Sequence, residues 1–417
     1  MLFSILGFSM TPDVSRTDLT NLSTNVAESI QRVLFSVRTY LGMDVAFVSE
    51  FTGPERVFRN VDSARPDSPI KRGGVIPMAE GYCQKVVDGR LPELIPNTSL
   101  IAAARVIPET TSIPIGAHLS VPIRLKEGRI FGTFCCFSYH PNPQLSQRDL
   151  ELMKTFAQLV ARQIDGEISR DALRFEKIER IREAVANGDP RIVYQPICRL
   201  SDGKVTGVES LSRFASEPRR GPDVWFQEAA DAGLAESLEL IAIRKAIVAS
   251  SVLPKDLTLS VNVSPAVAIA GRLGEALDGI DPARLVVEVT EHEMIPDYQV
   301  LIDALAPLRS RGIKIAIDDA GAGYSSLRHV LMLRPDIIKF DISITRGVDS
   351  DPMRRAMAAA LAEFARHTGT KIVAEGIETA EELAVLRALG VEKGQGYFFG
   401  KPMEPQNIAA TAAMAAA

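Results

Sequence analysis

The sequence predicts two units of different class: an α+β domain, then an α/β barrel of the (β/α)8 type. Three observations carry this. At 417 residues the chain exceeds one ordinary core, so about two domains is the prior. Near Ile192 the texture changes to apolar runs alternating with helical segments. Those runs end in polar residues, the pattern of barrel strands whose C-terminal ends share one face.

The first domain is placed at residues 17–165. An amphipathic helix from Leu19 to Leu41 leads into the strand-like MDVAFVSEF. After a Pro/Gly/Arg-rich middle come GAHLSVPIRL and RIFGTFCCFSY, joined at Lys126-Glu127-Gly128 as a hairpin. Ser146 then caps a long helical pattern. The pattern runs on, charge-laced and nearly free of breakers, through a connector at 166–190, ending near Gly188 and Pro190. Such a segment is either a solvated linker or a dimer seam.

The barrel is placed at 191–410. Its strand-like runs are IVYQPICRL, KVTGVESLSRF, LTLSVNVSP, RLVVEVTE, KIAIDDAG, DIIKFDISI, KIVAEGIE and GQGYFFGKP. Helical patterns such as ESLELIAIRKAIVAS and AMAAALAEFARHTG separate most of them. The first two runs are split only by a short turn at Asp202-Gly203, so the first strand is expected to be antiparallel.

Bulk properties narrow the function. A net charge of −5 and 24% charged residues describe a soluble protein without the basic field of a nucleic-acid polymer binder. The opening MLFSILGFSM is too short to span a bilayer and lacks a basic flank, so neither membrane insertion nor a signal peptide is expected. Four cysteines, Cys83, Cys135, Cys136 and Cys198, have no metal-ligand spacing and read as reduced thiols of a cytoplasmic protein.

The polar residues at the run ends are Gln195, Glu209, Arg213, Asn262, Glu288, Glu291, Asp318, Asp319, Lys339, Asp341, Glu375, Glu378 and Gln395. So many converging carboxylates repel one another unless cations intervene. Oxygen ligands without a Cys or His cluster point to Mg²⁺ or Mn²⁺, with Ca²⁺ as a non-productive competitor. The surplus of carboxylates suggests two ions, the arrangement of phosphoester hydrolysis. Lys339 could orient a water or neutralise developing charge, and Arg213 could hold a phosphate. A sugar-acting or enolate-forming barrel is the rival reading.

Taken in order, the blocks YQPI, VESLSRF, VNVSP, EVTE, DDAGAGYSSL, IKFD, AEGIE and QGYFFGKP resemble the EAL-domain family of cyclic-di-GMP phosphodiesterases across Ile192 to Pro405. The signature tripeptide stands here as Glu209-Ser210-Leu211, with Ser for the middle Ala. The resemblance implies metal ligation by Glu209, Asn262, Glu288, Asp318, Asp319, Asp341 and Glu375. It implies catalytic roles for Glu209, Lys339 and Glu375, Lys339 holding the nucleophilic water and Glu375 acting as general base. Gln195, Leu211, Arg213, Asp319, Glu378 and Gln395 match substrate-binding positions, and Glu291 the anchor of the loop after Asp318-Asp319. The implied reaction opens cyclic di-GMP to linear pGpG with two Mg²⁺ or Mn²⁺ ions, Ca²⁺ being inhibitory. A silent cyclic-di-GMP receptor is the alternative, and a homodimer is expected. Besides Ser210, Ala320 departs from the family, which often has Phe after the paired aspartates.

Residues from Leu19 to Asp165 resemble a GAF sensor domain, best at GAHLSVPIRLKEGRIFGTFCCFS. This implies regulation of the barrel by an unidentified small ligand or signal. No cyclic-nucleotide signature of the Asn-Lys-Phe-Asp-Glu type and no Gly-Gly-Asp-Glu-Phe block is present. Cys83 and His118 invite a cofactor reading, but with no ligand spacing they are expected to be packing residues.

Overall fold

The computed structural model describes residues 24–290, 295, 297–320 and 324–414. The chain divides into two compact units, Met1–Leu173 and Arg174–Ala417.

The first unit is built on six strands: β1 (Val45–Thr52), β2 (Glu55–Ser63), β3 (Val75–Pro77), β4 (Leu94–Ile95), β5 (Ala117–Arg124) and β6 (Ile130–Ser138). They form one sheet in the order β3-β2-β1-β6-β5-β4, antiparallel throughout. The expected β5–β6 hairpin is present. The helix Thr24–Leu41 buries Ile30, Leu34 and Val37 against one face, together with Met153, Ala157 and Val160 of the helix Gln147–Ala186. The opposite face packs Phe47, Phe58, Tyr82, Ile107 and Phe137. Successive strand residues face opposite ways. Adjacent Cys135 and Cys136 therefore belong to different cores.

The helix Gln147–Ala186 is one continuous element of 40 residues. Ser146 precedes it, but its hydroxyl donates to the Asp149 carboxylate at 2.8 Å instead of accepting from the helix backbone.

The second unit contains β7 (Arg191–Arg199), β8 (Val205–Arg213), β9 (Thr258–Val263), β10 (Leu285–Val289), β11 (Lys314–Ala320), β12 (Ile337–Phe340), β13 (Lys371–Ala374) and β14 (Lys393–Gly394). They close into a barrel in the order β10-β11-β12-β13-β14-β7-β8-β9. β7 runs antiparallel to both neighbours, as the short turn predicted. The remaining neighbours pair in parallel.

Several runs are shorter as strands than the sequence suggests. GQGYFFGKP contributes only its first residue, Gly394, to the two-residue β14. Past Gly394 the chain turns, with Phe399 N and Gly400 N both donating to Gly396 O at 3.1 Å, and only Gly fits at 396, where φ is +156° and a Cβ would lie 2.1 Å from Ile377 O. DIIKFDISI stops at Phe340, because Asp341 caps the helix Ile342–Thr345 by accepting from Ser343 N.

Candidate active site

The C-terminal ends of the barrel strands deliver the charged residues to one place. Strand register explains part of the convergence: Glu288 lies directly beside Asn262, and Gln195 opposite Glu209. Glu288 sits in a strand whose five residues are all buried and whose other members are Leu or Val. A carboxylate there is held by its partners or not at all.

Its partner is Lys339, 1% exposed, which projects from β12 among four carboxylates. Lys339 Nζ lies 2.7 Å from Glu288 Oε2, 2.7 Å from Glu375 Oε1, 2.9 Å from Asp318 Oδ1 and 3.4 Å from Glu209 Oε1. Burial opposes the ammonium charge, but Asp318, Glu209, Glu288 and Glu375 outweigh it and hold Lys339 firmly protonated. One ammonium cannot neutralise four carboxylates. Burial, with Glu209 and Asp318 nearby, pushes Glu288 up to about 8 against the pull of Lys339. Burial, Asp318 and Glu209 likewise push Glu375 well above the ordinary carboxylate range.

Amides frame the cluster. Asn262 Nδ2 donates to Glu209 Oε1 at 3.0 Å. Gln395 Nε2 donates to Glu209 Oε2 at 2.7 Å and to Glu375 Oε1 at 3.0 Å. Glu209 is thus fixed through both oxygens.

Asp318 and Asp319 both reach this region although neighbours on a strand normally face apart. Asp319 adopts φ +54°, left-handed backbone that Asp tolerates better than most residues. The β11–β12 pairing is irregular between Ile317 and Ala320. The local twist brings carboxylate oxygens of Asp318, Asp319 and Glu375 within 4.8 Å of one another, and oxygens of Glu209, Glu288 and Asp318 likewise. Asp318 belongs to both groups. Glu375 owes its position partly to Gly376 (φ +68°), where a Cβ would fall 2.4 Å from Ile342 Cγ1.

The site fits hard cations on its own geometry. Asn262 Oδ1 and Gln395 Oε1 are buried and accept no hydrogen bond, while Asp318 Oδ1 has the Lys339 ammonium as its partner. Buried acceptors left open beside excess negative charge match what Mg²⁺ or Mn²⁺ requires.

Other expected residues lie at the rim. Asp341 is committed to capping Ser343 N at 2.8 Å and is in neither carboxylate group. Glu378 is ion-paired with Arg346, a residue the sequence reading missed although it closes the ISITR segment after Asp341. Gln195 Nε2 donates to Gly400 O at 3.3 Å. Arg213 is exposed and donates to Ser212 O. Leu211, Arg213, Asn262, Phe226 and Glu239 line a cavity of about 230 Å³. Ser210 finds a partner for its hydroxyl, donating to Ser260 O at 2.8 Å. Ala320 is buried and pairs with Phe340. Glu291 and residues 321–323 of the loop it was expected to anchor lie outside the described residues.

Residues 178–402 match the family model for the EAL domain. The chain belongs to the EAL domain family. Residues 25–164 match the GAF domain. Among curated proteins, this chain is 31% identical over 259 residues to the cyclic di-GMP phosphodiesterase NbdA of Pseudomonas aeruginosa, covering 59% of this chain and 33% of that protein. It is 33% identical over 238 residues to the probable cyclic di-GMP phosphodiesterase PdeG of Escherichia coli, covering 54% and 47%. The chain thus spans between a third and a half of these relatives. Among solved structures, the PaMucR phosphodiesterase in its c-di-GMP complex matches with a TM-score of 0.50 and 26% identity, over 56% of this chain and 99% of that one. The EAL enzyme Bd1971, at 19% identity and a TM-score of 0.56 over 89% and 93%, shares the fold.

Proposed function

We propose that this EAL barrel is a metal-dependent phosphodiesterase that opens one 3′–5′ phosphodiester of cyclic di-GMP to give linear pGpG. The observation that carries the proposal is Asp318, shared by two carboxylate groups that surround one buried lysine. Two adjoining oxygen-rich pockets bridged by one carboxylate are suited to a pair of divalent ions. The names of NbdA, PdeG and PaMucR support the substrate.

Glu209, Asn262, Glu288, Asp318, Asp319, Asp341 and Glu375 would hold two ions, Mg²⁺ or Mn²⁺. Such ions would make an attacking water more acidic and neutralise charge on the phosphoryl oxygens. Ca²⁺, larger and less strict in geometry, competes without supporting turnover. Lys339 holds its proton and stabilises negative charge developing on the phosphate. Glu375 accepts the proton of the attacking water. Asn262 and Gln395 keep Glu209 oriented. Gln195, Leu211, Arg213, Glu378 and Gln395 position the dinucleotide, Arg213 through its guanidinium. The GAF unit regulates the barrel in response to a small ligand or signal, and the working form is a cytoplasmic homodimer.

The test is incubation of the purified chain with cyclic di-GMP and Mg²⁺, beside Glu209→Gln. Linear pGpG from the wild type, with at least about a hundredfold loss in the variant, is the expected result. Tight binding of intact cyclic di-GMP by the wild type would identify a receptor instead. Added Ca²⁺ and removal of residues before Arg174 test the inhibition and the regulation.

A further inference from the structure

A second cluster of reactive groups lies in the GAF unit, in the core on the face of the sheet that carries Phe47 and Tyr82. Cys83, on the helix Tyr82–Val87, and Cys135, on β6, are both completely buried. Their sulfurs are 3.4 Å apart. Neither is bonded to another cysteine.

Their surroundings treat the two sulfurs differently. Arg56, 2% exposed, donates from Nη1 to Cys83 Sγ at 2.7 Å and is ion-paired through Nη2 with Glu109. Its guanidinium lies 4.9 Å over Phe58, in surroundings that screen little. Cys135 Sγ is hydrogen-bonded to neutral groups, Ser120 Oγ at 3.0 Å and Thr133 Oγ1 at 3.2 Å, and feels the Arg56 charge less strongly than Cys83 does.

We propose that Cys83 and Cys135 form a redox site of the GAF unit, in which Cys83 is the nucleophile and Cys135 resolves it to a reversible disulfide with a small hydroperoxide as oxidant. A disulfide needs about 2.05 Å between sulfurs, so the 3.4 Å contact lacks about 1.4 Å of approach. Cys83 lies at the second position of a six-residue helix, a small element to shift.

Electrostatics select the nucleophile. Burial pushes the Cys83 thiol up, but Cys135, the Arg56 guanidinium 2.7 Å away and Thr133 outweigh it and hold the thiol below its ordinary range, which favours the thiolate. Burial keeps Cys135 protonated, well above the ordinary thiol range. A thiolate beside a thiol is the pairing of a peroxide-reactive cysteine with its resolving partner.

The steps balance. Cys83 S⁻ attacks one peroxide oxygen, the S–O bond forms and the O–O bond breaks. The leaving hydroxide or alkoxide takes the Cys135 thiol proton. The new Cys135 thiolate attacks the Cys83 sulfur, the S–S bond forms, and hydroxide leaves to be protonated from solvent. The sulfur pair loses two electrons and the peroxide gains them. Oxidation also removes the thiolate charge, leaving Arg56 and Glu109 as a neutral pair in the core. Reduced, Arg56 is shared between Glu109 and the Cys83 thiolate.

The other two cysteines are internal controls. Burial raises Cys136 far above the thiol range, and burial with Asp202 nearby pushes Cys198 up to about 12. The experiment exposes the reduced full chain to hydrogen peroxide, alkylates it under denaturing conditions and maps the peptides with and without dithiothreitol. The expected result is a Cys83–Cys135 cross-linked peptide reversed by dithiothreitol, Cys83 being consumed at least about tenfold faster than Cys198. Cys135→Ser should leave a sulfenic acid on Cys83 that dimedone traps, and Cys136→Ser should leave the cross-link unchanged. Four intact thiols, or equal loss at Cys83 and Cys198, would overturn the proposal. The wild-type peptide map decides it even if a variant fails to fold.

Discussion

Lys339 Nζ and Glu288 Oε2 meet at 2.7 Å inside the mouth of the barrel, both essentially without solvent exposure. Three further carboxylates press on the same ammonium. The lysine is therefore the resident cation of an over-acidic site.

Replacing it removes that cation. Lys339→Ala should destabilise the EDTA-treated protein by about 3–5 kcal/mol, because it strands buried carboxylates. Millimolar Mg²⁺ should restore part of the loss, while hydrolysis of cyclic di-GMP stays abolished. Thermal unfolding with EDTA and with Mg²⁺ checks the first two claims. An unchanged midpoint in EDTA would mean that the carboxylates had simply taken up protons.

Cation binding should be proton-linked. Burial raises the Glu288 carboxyl to about 8, and the proposed ligation requires it as a carboxylate. Where Glu288 and Glu375 are protonated, binding through them must expel protons, so Mg²⁺ affinity should rise as pH increases through neutrality. Calorimetry in buffers of different ionisation heat measures the released proton directly. Glu288→Gln should flatten this dependence as well as weaken binding.

The Ser210 departure should be mild. Its hydroxyl bond to Ser260 O is one neutral side-chain hydrogen bond. Ser210→Ala, which restores the family tripeptide, should change stability by no more than about 1 kcal/mol and leave turnover within about twofold. Urea unfolding and initial rates test this.

Acid should weaken the GAF unit through His118. Burial, then the Arg56 charge, lowers this imidazole to about 3, and its Nδ1 has no partner. Below the ordinary value near 6.5 the unfolded chain takes up a proton that the folded chain refuses. Stability is complete above that pH and falls by up to about 1.4 kcal/mol per pH unit as pH drops toward 3. His118→Asn should remove this slope, read from unfolding midpoints of the GAF unit between pH 7 and 4.

Much of the fold is legible in the sequence because its signals are local. The β5–β6 hairpin, the long helix after Ser146 and the reversed β7 each follow from turn residues or periodicity within one segment. The list of charged strand ends is legible too, since a Glu in LVVEV or a Lys in IIKF contradicts the apolar run around it. Less was legible at GQGYFFGKP, where apolar composition suggests a strand but the chain turns back on the carbonyl of Gly396.

By itself the sequence determined the two-unit architecture and the set of charged residues at the ends of the barrel strands. Local propensity and residue type suffice for those. Only the tertiary structure decided which residues act on one another. It made Lys339 the hub of four carboxylates, gave Asp318 to two groups, turned Asp341 to cap a helix and set Cys83 against Cys135 and Arg56. Those relations join residues distant in the chain. Coulomb and hydrogen-bond energies depend on distances that only the folded chain sets.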